Sequence, residues 1–404
     1  MERNFLVCSL FLVMQALAAP SCAKKVLPAS VKPARQDTLS FADTVFRSGE
    51  GGYASYRIPA IIKAPDGGLL AFIEGRVNNS ADFGNVKILV KKSMDNGKTW
   101  GPALLVAQNG NLQAGNAAPV VDNSDPDYPN GRIFLFYCSG NNTQANVTNL
   151  NGVREVWYIT SKDNGLTWSD PVNITLQVHH PYQPSFNSLY TDPLKWTAYA
   201  TTPGHALQIS QGAHAGRIVV PVNHGIYSTK TNYAAAFYTD DHGKTFHLSP
   251  DVPFQSDETT AAELSGGGVL LNSRDQYLGK HERILSYDTT GNLDSTIHWQ
   301  CSSNPYLPDP VCEGSMINYT SSAGKQVLLF CNPVSPAYTR AQLGLRQSFD
   351  EGRTWTAPVV LDGGFAAYSD LVILPEGHVG ILYEADDYKV VRFISVKYDR
   401  VPVQ

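Results

Sequence analysis

An eight-residue phrase recurs four times in this chain, and a chain that repeats a turn must also repeat the elements the turn joins. The copies run Ser93 to Trp100, Ser161 to Trp168, Thr239 to Phe246 and Ser348 to Trp355, each reading Ser/Thr-x-Asp-x-Gly-x-Thr-aromatic. The residue types describe a hairpin turn with its own fastener. Asp accepts from backbone N–H groups across the turn, Gly supplies a positive φ, and the aromatic plugs the layer beneath. Self-similarity on this scale marks a repeat architecture.

Between the octets lie short apolar or alternating runs, among them Ile58 to Ile62, Leu69 to Ile73, Lys87 to Val90, Arg132 to Phe136, Ile218 to Val222, Ala234 to Tyr238, Val327 to Phe330 and Val379 to Tyr383. Runs of this length, rich in β-branched and aromatic residues, read as strands. The octets begin 68, 78 and 109 residues apart, and a worn copy, Ser286 to Gly291, divides the widest gap into 47 and 62. Five turns, with flanking sequence for one more unit, predict an all-β chain folded as a six-bladed β-propeller. Radial closure of that kind leaves few exposed sheet edges. A two-sheet sandwich is the alternative.

Charged residues make up 17% of the chain, against roughly 25% in a typical soluble domain. The net charge of -5 and the lack of a basic stripe argue against a nucleic-acid partner. Residues 1–22 read as an export signal, with Arg3 ahead of an apolar run from Phe5 to Ala19 that is short for a membrane span. Residues 23–40 read as a flexible tether, and 41–404 as a single domain. Cys301 and Cys312 bracket a Pro-rich loop and are the expected disulfide pair, while Cys138 and Cys331 read as buried thiols. The ten His show no His-Glu-x-x-His spacing, so neither a metal nor another cofactor is expected. Gly266-Gly267-Gly268 reads as a hairpin, since no helix follows to hold a phosphate.

The octets resemble the Asp boxes of sialidases, which also occur in propellers that are not enzymes. A sharper resemblance begins at Tyr56-Arg57-Ile58-Pro59, similar to the sialidase Arg-Ile-Pro motif, and continues through Glu74-Gly75-Arg76 and Asp82. Downstream, Glu258, Glu263-Leu264-Ser265 and Leu271-Asn272-Ser273-Arg274 resemble the family's Glu segment. Arg340 precedes the fourth octet, and Ala367-Tyr368-Ser369 and Leu382-Tyr383-Glu384 complete the series.

The resemblance implies an exo-α-sialidase acting with retention, as a monomer, on terminal sialic acids of glycoproteins, glycolipids or oligosaccharides. It makes Tyr368 the nucleophile, Glu258 its base and Asp82 the acid/base. Arg57, Arg274 and Arg340 would bind the substrate carboxylate, Arg76 a ring hydroxyl, and Glu384 would hold Arg57. Asp257 and Glu263 are rival carboxylates for the base. Asn116, within Gly115 to Pro119, either lines the pocket or belongs to a structural turn. A glycan at the Asn78 sequon would crowd Asp82, so Asn78 is expected to be unmodified.

The chemistry agrees with those residue types. A planar carboxylate is engaged bidentately by guanidinium groups, and a neutral phenol avoids the repulsion that a carboxylate nucleophile would meet beside it. Two other outcomes use the same features: transfer of the sugar to another acceptor, and a non-catalytic propeller that binds glycans or proteins. A binding module needs no acid, base and nucleophile together.

Overall fold

The structure, a computed structural model, describes residues 39–276, 279–321, 324–335 and 338–398. The expected leader and all but the last two residues of the expected tether lie outside them. Each apolar run named above falls inside a strand, and the chain is nearly all β, the two short α-helices among the described residues being Gln144–Thr148 and Thr175–Val178. No described helix is long and apolar enough to cross a membrane.

The strands succeed one another as antiparallel meanders. β1 (Leu39–Arg47) stands apart at the start, taking in the last two tether residues. It is followed by β2 (Ser55–Lys63), β3 (Leu69–Arg76), β4 (Val86–Ser93) and β5 (Leu104–Ala107), and then by β6 (Gln113–Asp122), β7 (Arg132–Gly140), β8 (Arg154–Ser161) and β9 (Val172–Asn173). The third meander holds β10 (Trp196–Thr201), β11 (Leu207–Gln208), β12 (Ile218–Ile226), β13 (Thr231–Thr239) and β14 (His247–Leu248). The fourth holds β15 (Thr259–Glu263), β16 (Val269–Ser273), β17 (Glu282–Asp288) and β18 (Gln300–Pro308). β19 (Ser315–Thr320), β20 (Gln326–Pro333), β21 (Ala341–Ser348) and β22 (Val359–Leu374) come next, and β23 (His378–Ala385) and β24 (Val390–Lys397) end the series.

Counted by hydrogen bonding, these strands form four sheets, of eight, seven, five and four strands. Two features merge neighbouring meanders. A single parallel bridge, Val86 to Gln113, joins β4 to β6. β22 is 16 residues long, pairing with β21 through its first part and with β23 through its last. Divided at those points, the strands fall into six meanders, which we take as the blades of the propeller. An apolar core lies between each successive pair. Phe72 and Ile159 share one, Phe136 and Phe237 the next, and Leu271 with Val219, Phe330 with Leu270, and Ile381 with Leu345 the following three. Phe393 of β24 packs with Ile73 of β3 in the sixth, so the last meander meets the first. Pairing of β1 with β24, from Leu39 opposite Val396 to Arg47 opposite Val390, adds the N-terminal strand to the last blade.

Each octet follows the last long strand of its meander and fastens itself as the sequence suggests. In the first, the Asp95 carboxylate accepts from Thr99 N at 2.9 Å and Thr99 Oγ1 at 2.6 Å, while Gly97 N donates to Ser93 Oγ at 2.8 Å. The same bonds recur around Asp163, Asp241 and Asp350. The worn copy keeps the Asp but bonds Thr290 and Leu293 N instead. The octets also join blades. Gly97, at φ 88°, lies so close to Phe393 of the last blade that a Cβ would sit 2.2 Å from its ring. Gly165, Gly243 and Gly352 meet Leu70, Phe134 and Leu270 of their preceding blades in the same manner.

Hydrogen bonds from Thr99 hold the Asp95 carboxyl down to about 2. Its contribution is therefore present above the ordinary carboxylate value and lost as pH falls towards about 2. Asp95→Ala should lower the melting temperature by roughly a few degrees and leave turnover unchanged, which a thermal scan beside an activity assay checks. The reason is distance. Ser93 lies opposite Leu69, whereas the other end of the same pair, Val86 opposite Arg76, borders the residues described next. Seven residues of strand separate the two ends by about 23 Å.

Candidate active site

The first strands of the meanders pack against one another, β2 against β6 and β22, and β19 against β15 and β22, so they line the axis. Several are interrupted there. Register shifts between Arg57 and Ala60, between Gly115 and Ala118, and between Ala366 and Ser369 bend the strands and re-aim their side chains. Ile58 and Asn116 adopt φ 57° at two of these points.

Around Tyr368, which is 5% exposed, the residues expected from distant parts of the chain come together. Its hydroxyl donates to the Glu258 carboxylate, 2.6 Å from both oxygens, and accepts from Arg274 Nη1 at 3.0 Å. Arg274 also bonds Glu258 at 2.6 Å and Asp257 at 2.9 Å. Arg57 and Arg340 flank the phenol ring, their guanidinium carbons 5.7 and 5.4 Å from its centroid. The Glu384 carboxylate, fully buried, accepts from Arg57 Nε at 2.7 Å, from Ile58 N at 2.9 Å and from Tyr368 N at 3.3 Å. It therefore aims the arginine and the backbone that carries the tyrosine at the same time.

Burial raises the pKa of Glu258, against the pull of Arg274, and so makes it a stronger base than an exposed glutamate. Burial and then Glu258 hold the Tyr368 phenol well above its ordinary value, while Arg274 and Arg340 oppose them. For Arg57, burial works against the charge but Glu384 more than offsets it, so its pKa is raised. Arg274 is raised likewise: burial works against its charge, but Glu258, Tyr368, Asp257 and Asp309 together more than offset it.

A second group adjoins the first. Arg57 lies opposite Glu74 in the register of β2 and β3. Glu74, 1% exposed, accepts from Arg76 Nη2 at 2.7 Å and Nε at 3.1 Å with one oxygen, and from Asn116 N at 2.9 Å with the other. Arg76 Nη1 reaches on to Asp82 at 2.8 Å. Asp82 sits on the loop between β3 and β4 with a side chain 78% exposed, in reach of solvent. Among the described residues no side-chain hydrogen bond or ion pair joins this group to the one around Tyr368.

A model of the BNR repeat-like domain matches residues 67–381. A sialidase of Micromonospora viridifaciens is 33% identical over 401 residues, covering 93% of this chain and 57% of that one. The chain belongs to the sialidase family. It spans little more than half the length of that relative. Among solved structures, the Hadza microbial sialidase Hz136 matches with a TM-score of 0.76 at 26% identity, covering 89% of this chain and 69% of its own. The intramolecular trans-sialidase from Ruminococcus gnavus shares the fold, with a TM-score of 0.68 at 16% identity over 89% of this chain and 98% of its own.

In this sialidase-family chain the rival carboxylates have other tasks. Glu263 accepts from Ser210 N and Oγ and from Gln211 N, a loop brace, and Asp257 is a second partner of Arg274. Asn116 belongs to a bulged strand and not to a turn. Gly266 to Gly268 do join the hairpin of β15 and β16. The Cys301–Cys312 disulfide is not formed, and all four described cysteines are free thiols. Cys301 Sγ lies 3.1 Å from Ser286 Oγ across β18 and β17, while Cys312 is buried with Ile58 and Tyr368. The strand between them carries the chain roughly 20 Å along β18, too far for sulfur to meet sulfur. Sequence reasoning also missed Tyr388, whose ring lies 4.1 Å from the Arg57 guanidinium and whose hydroxyl accepts from Arg340 at 3.1 Å. No local signal marks it.

Proposed function

We propose that this chain is a retaining exo-α-sialidase that removes terminal α-linked sialic acids from glycoproteins, glycolipids or oligosaccharides. The observation that carries the reading is the Tyr368 hydroxyl held between Glu258 and Arg274, with Arg57 and Arg340 beside the same ring. Three guanidinium groups around one phenol suit a substrate that carries its carboxylate on the reacting carbon.

In the first step Tyr368 Oη bonds to the anomeric carbon and its proton passes to Glu258. The glycosidic C–O bond breaks as Asp82 protonates the leaving oxygen. In the second, Asp82 takes a proton from water, the hydroxide attacks the anomeric carbon, the bond to Tyr368 breaks, and Glu258 returns the proton. Two displacements at one carbon retain its configuration. Binding of the substrate carboxylate by Arg57, Arg274 and Arg340 fixes the sugar for both steps, and Arg76 serves a ring hydroxyl. The leader in the sequence supports export, to a periplasm, a surface, a secretion or a lysosome.

A chromogenic sialoside tests these roles. Hydrolysis should fall sharply in both Tyr368→Phe and Asp82→Ala; if both folded variants stayed near wild type, the assignment would be wrong, and a glycan-binding propeller would replace it. Transfer to a sugar acceptor uses the same covalent intermediate and would appear as a new sialoside in the product mixture.

A further inference from the structure

At the bulge that presents Tyr368, two consecutive backbone amides are each caught by a buried glutamate. Tyr368 N donates to Glu384. Ser369 N donates to Glu313 Oε2 at 2.9 Å. The two glutamates differ in company. Glu384 has Arg57 as an ion-pair partner at 2.7 Å. Glu313 is 2% exposed and, among the described residues, has no cation within ion-pair distance and no hydrogen-bond partner for its Oε1.

The charged groups around Glu313 are Asp370 on β22, Glu258 before β15 and Arg283 on β17, with the thiols of Cys312 and Cys331 nearby. Arg283 is committed elsewhere, to Asp309, to the Cys312 carbonyl and to Asn272. Asp370 is already paired with His205 at 2.7 Å and Glu258 with Arg274 at 2.6 Å, so with Arg283 occupied as well, none of these cations is left to offset a third buried anion. The segment leading to Glu313 is itself tied to the site. Val311 O accepts from Arg340 Nη2 at 2.8 Å, and Cys312 packs against Tyr368.

We propose that Glu313 is a neutral carboxylic acid and a positioning residue for the nucleophile: it holds the Ser369 amide without adding a negative charge beside Glu258. The role follows from the chemistry of the two carboxylates. Glu384 must be ionised to hold Arg57. Glu313 must stay protonated so that Glu258 remains the anion that takes the proton of Tyr368. Burial, reinforced by Asp370 and Glu258 and opposed by the Ser369 amide and Arg283, pushes the Glu313 carboxyl well above the usual glutamate range. The proposal rests on the reading of Tyr368 as nucleophile for its kinetic arm only.

The test compares Glu313→Gln with Glu313→Ala. Gln is neutral and still offers an oxygen to Ser369 N, so its kcat on sialyllactose should stay within about threefold of wild type; Ala should lose about tenfold or more in kcat with a smaller change in KM. Equal large losses in both variants would show that a charge is needed at this position and would overturn the proposal. An Ala variant with full kcat would also overturn it.

A second readout needs no activity. An acid whose folded pKa is raised contributes stability below its unfolded value, about 4.3, and loses it as pH rises through the folded value. The melting temperature of Glu313→Gln relative to wild type should therefore climb as pH rises above about 4.3. A gap that stayed flat or narrowed would mean an ionised Glu313 and would sink the proposal even if Glu313→Ala failed to fold. Should the wild type hydrolyse no sialoside, the proposed function fails and this melting comparison still decides the state of Glu313.

Discussion

Tyr368→Phe should lower turnover of sialyllactose on the order of 10²- to 10⁴-fold, because it removes the atom that forms the covalent bond while leaving the ring in place. KM should change far less, since Arg57, Arg274 and Arg340 remain. Folding should be little affected. The Phe ring keeps its packing against Ile58, Cys312 and Ala367, and Glu258 keeps its ion pair with Arg274 at 2.6 Å. Steady-state kinetics on purified protein, with a melting curve as the control, reads both. Near-wild-type kcat in a folded variant would remove Tyr368 from the chemistry.

The largest effect on stability is expected at Asp370, fully buried two residues beyond the nucleophile. Its Oδ2 accepts from Ile61 N at 2.8 Å on β2 and from His205 N at 3.0 Å. Its Oδ1 bonds His205 Nδ1 at 2.7 Å, Ser315 Oγ at 2.7 Å on β19, and Leu371 N at 2.9 Å. One carboxylate thus ties the first strands of three meanders to the loop at residue 205. Asp370→Asn presents an N–H₂ group to at least one of these donors and leaves buried groups unsatisfied, at a cost of about 3–5 kcal/mol in urea unfolding. The pH dependence gives an independent check. Burial alone would lower the His205 pKa, but Asp370 more than offsets it, so the folded value is raised. That contribution is fully present below the ordinary histidine value of about 6.5 and is lost as pH rises through the folded one. Wild type should lose this increment of stability on the alkaline side, and Asp370→Asn should not.

The parts of the site legible in the sequence were those with a local signature. Tyr56-Arg57-Ile58-Pro59, Glu258 with Arg274 sixteen residues on, and Ala367-Tyr368-Ser369 each mark a residue by its neighbours, and Arg57, Arg274, Glu258 and Tyr368 do meet. The octets announced closed repetition. Their hydrogen bonds could be read from the residue types, but their contact with the preceding blade could not, because Gly97 and Phe393 are 296 residues apart in the chain.

What escaped was set by closure. Tyr388, Glu313 and Asp370 act through partners from other blades and sit in unremarkable local sequence. The cysteine expectation failed for a related reason: nearness of Cys301 to Cys312 along the chain says nothing once β18 holds the intervening residues extended. At Asn116 the Gly and Pro that suggested a turn instead flank a bulge, which re-aims the strand without ending it.

A double displacement through Tyr368 is tested most directly by the anomer that is released first. Sialyllactose mixed with enzyme in an NMR tube should show the α anomer of sialic acid ahead of the β form that mutarotation later supplies. Initial appearance of the β anomer would mean a single displacement by water and would contradict the covalent role of Tyr368.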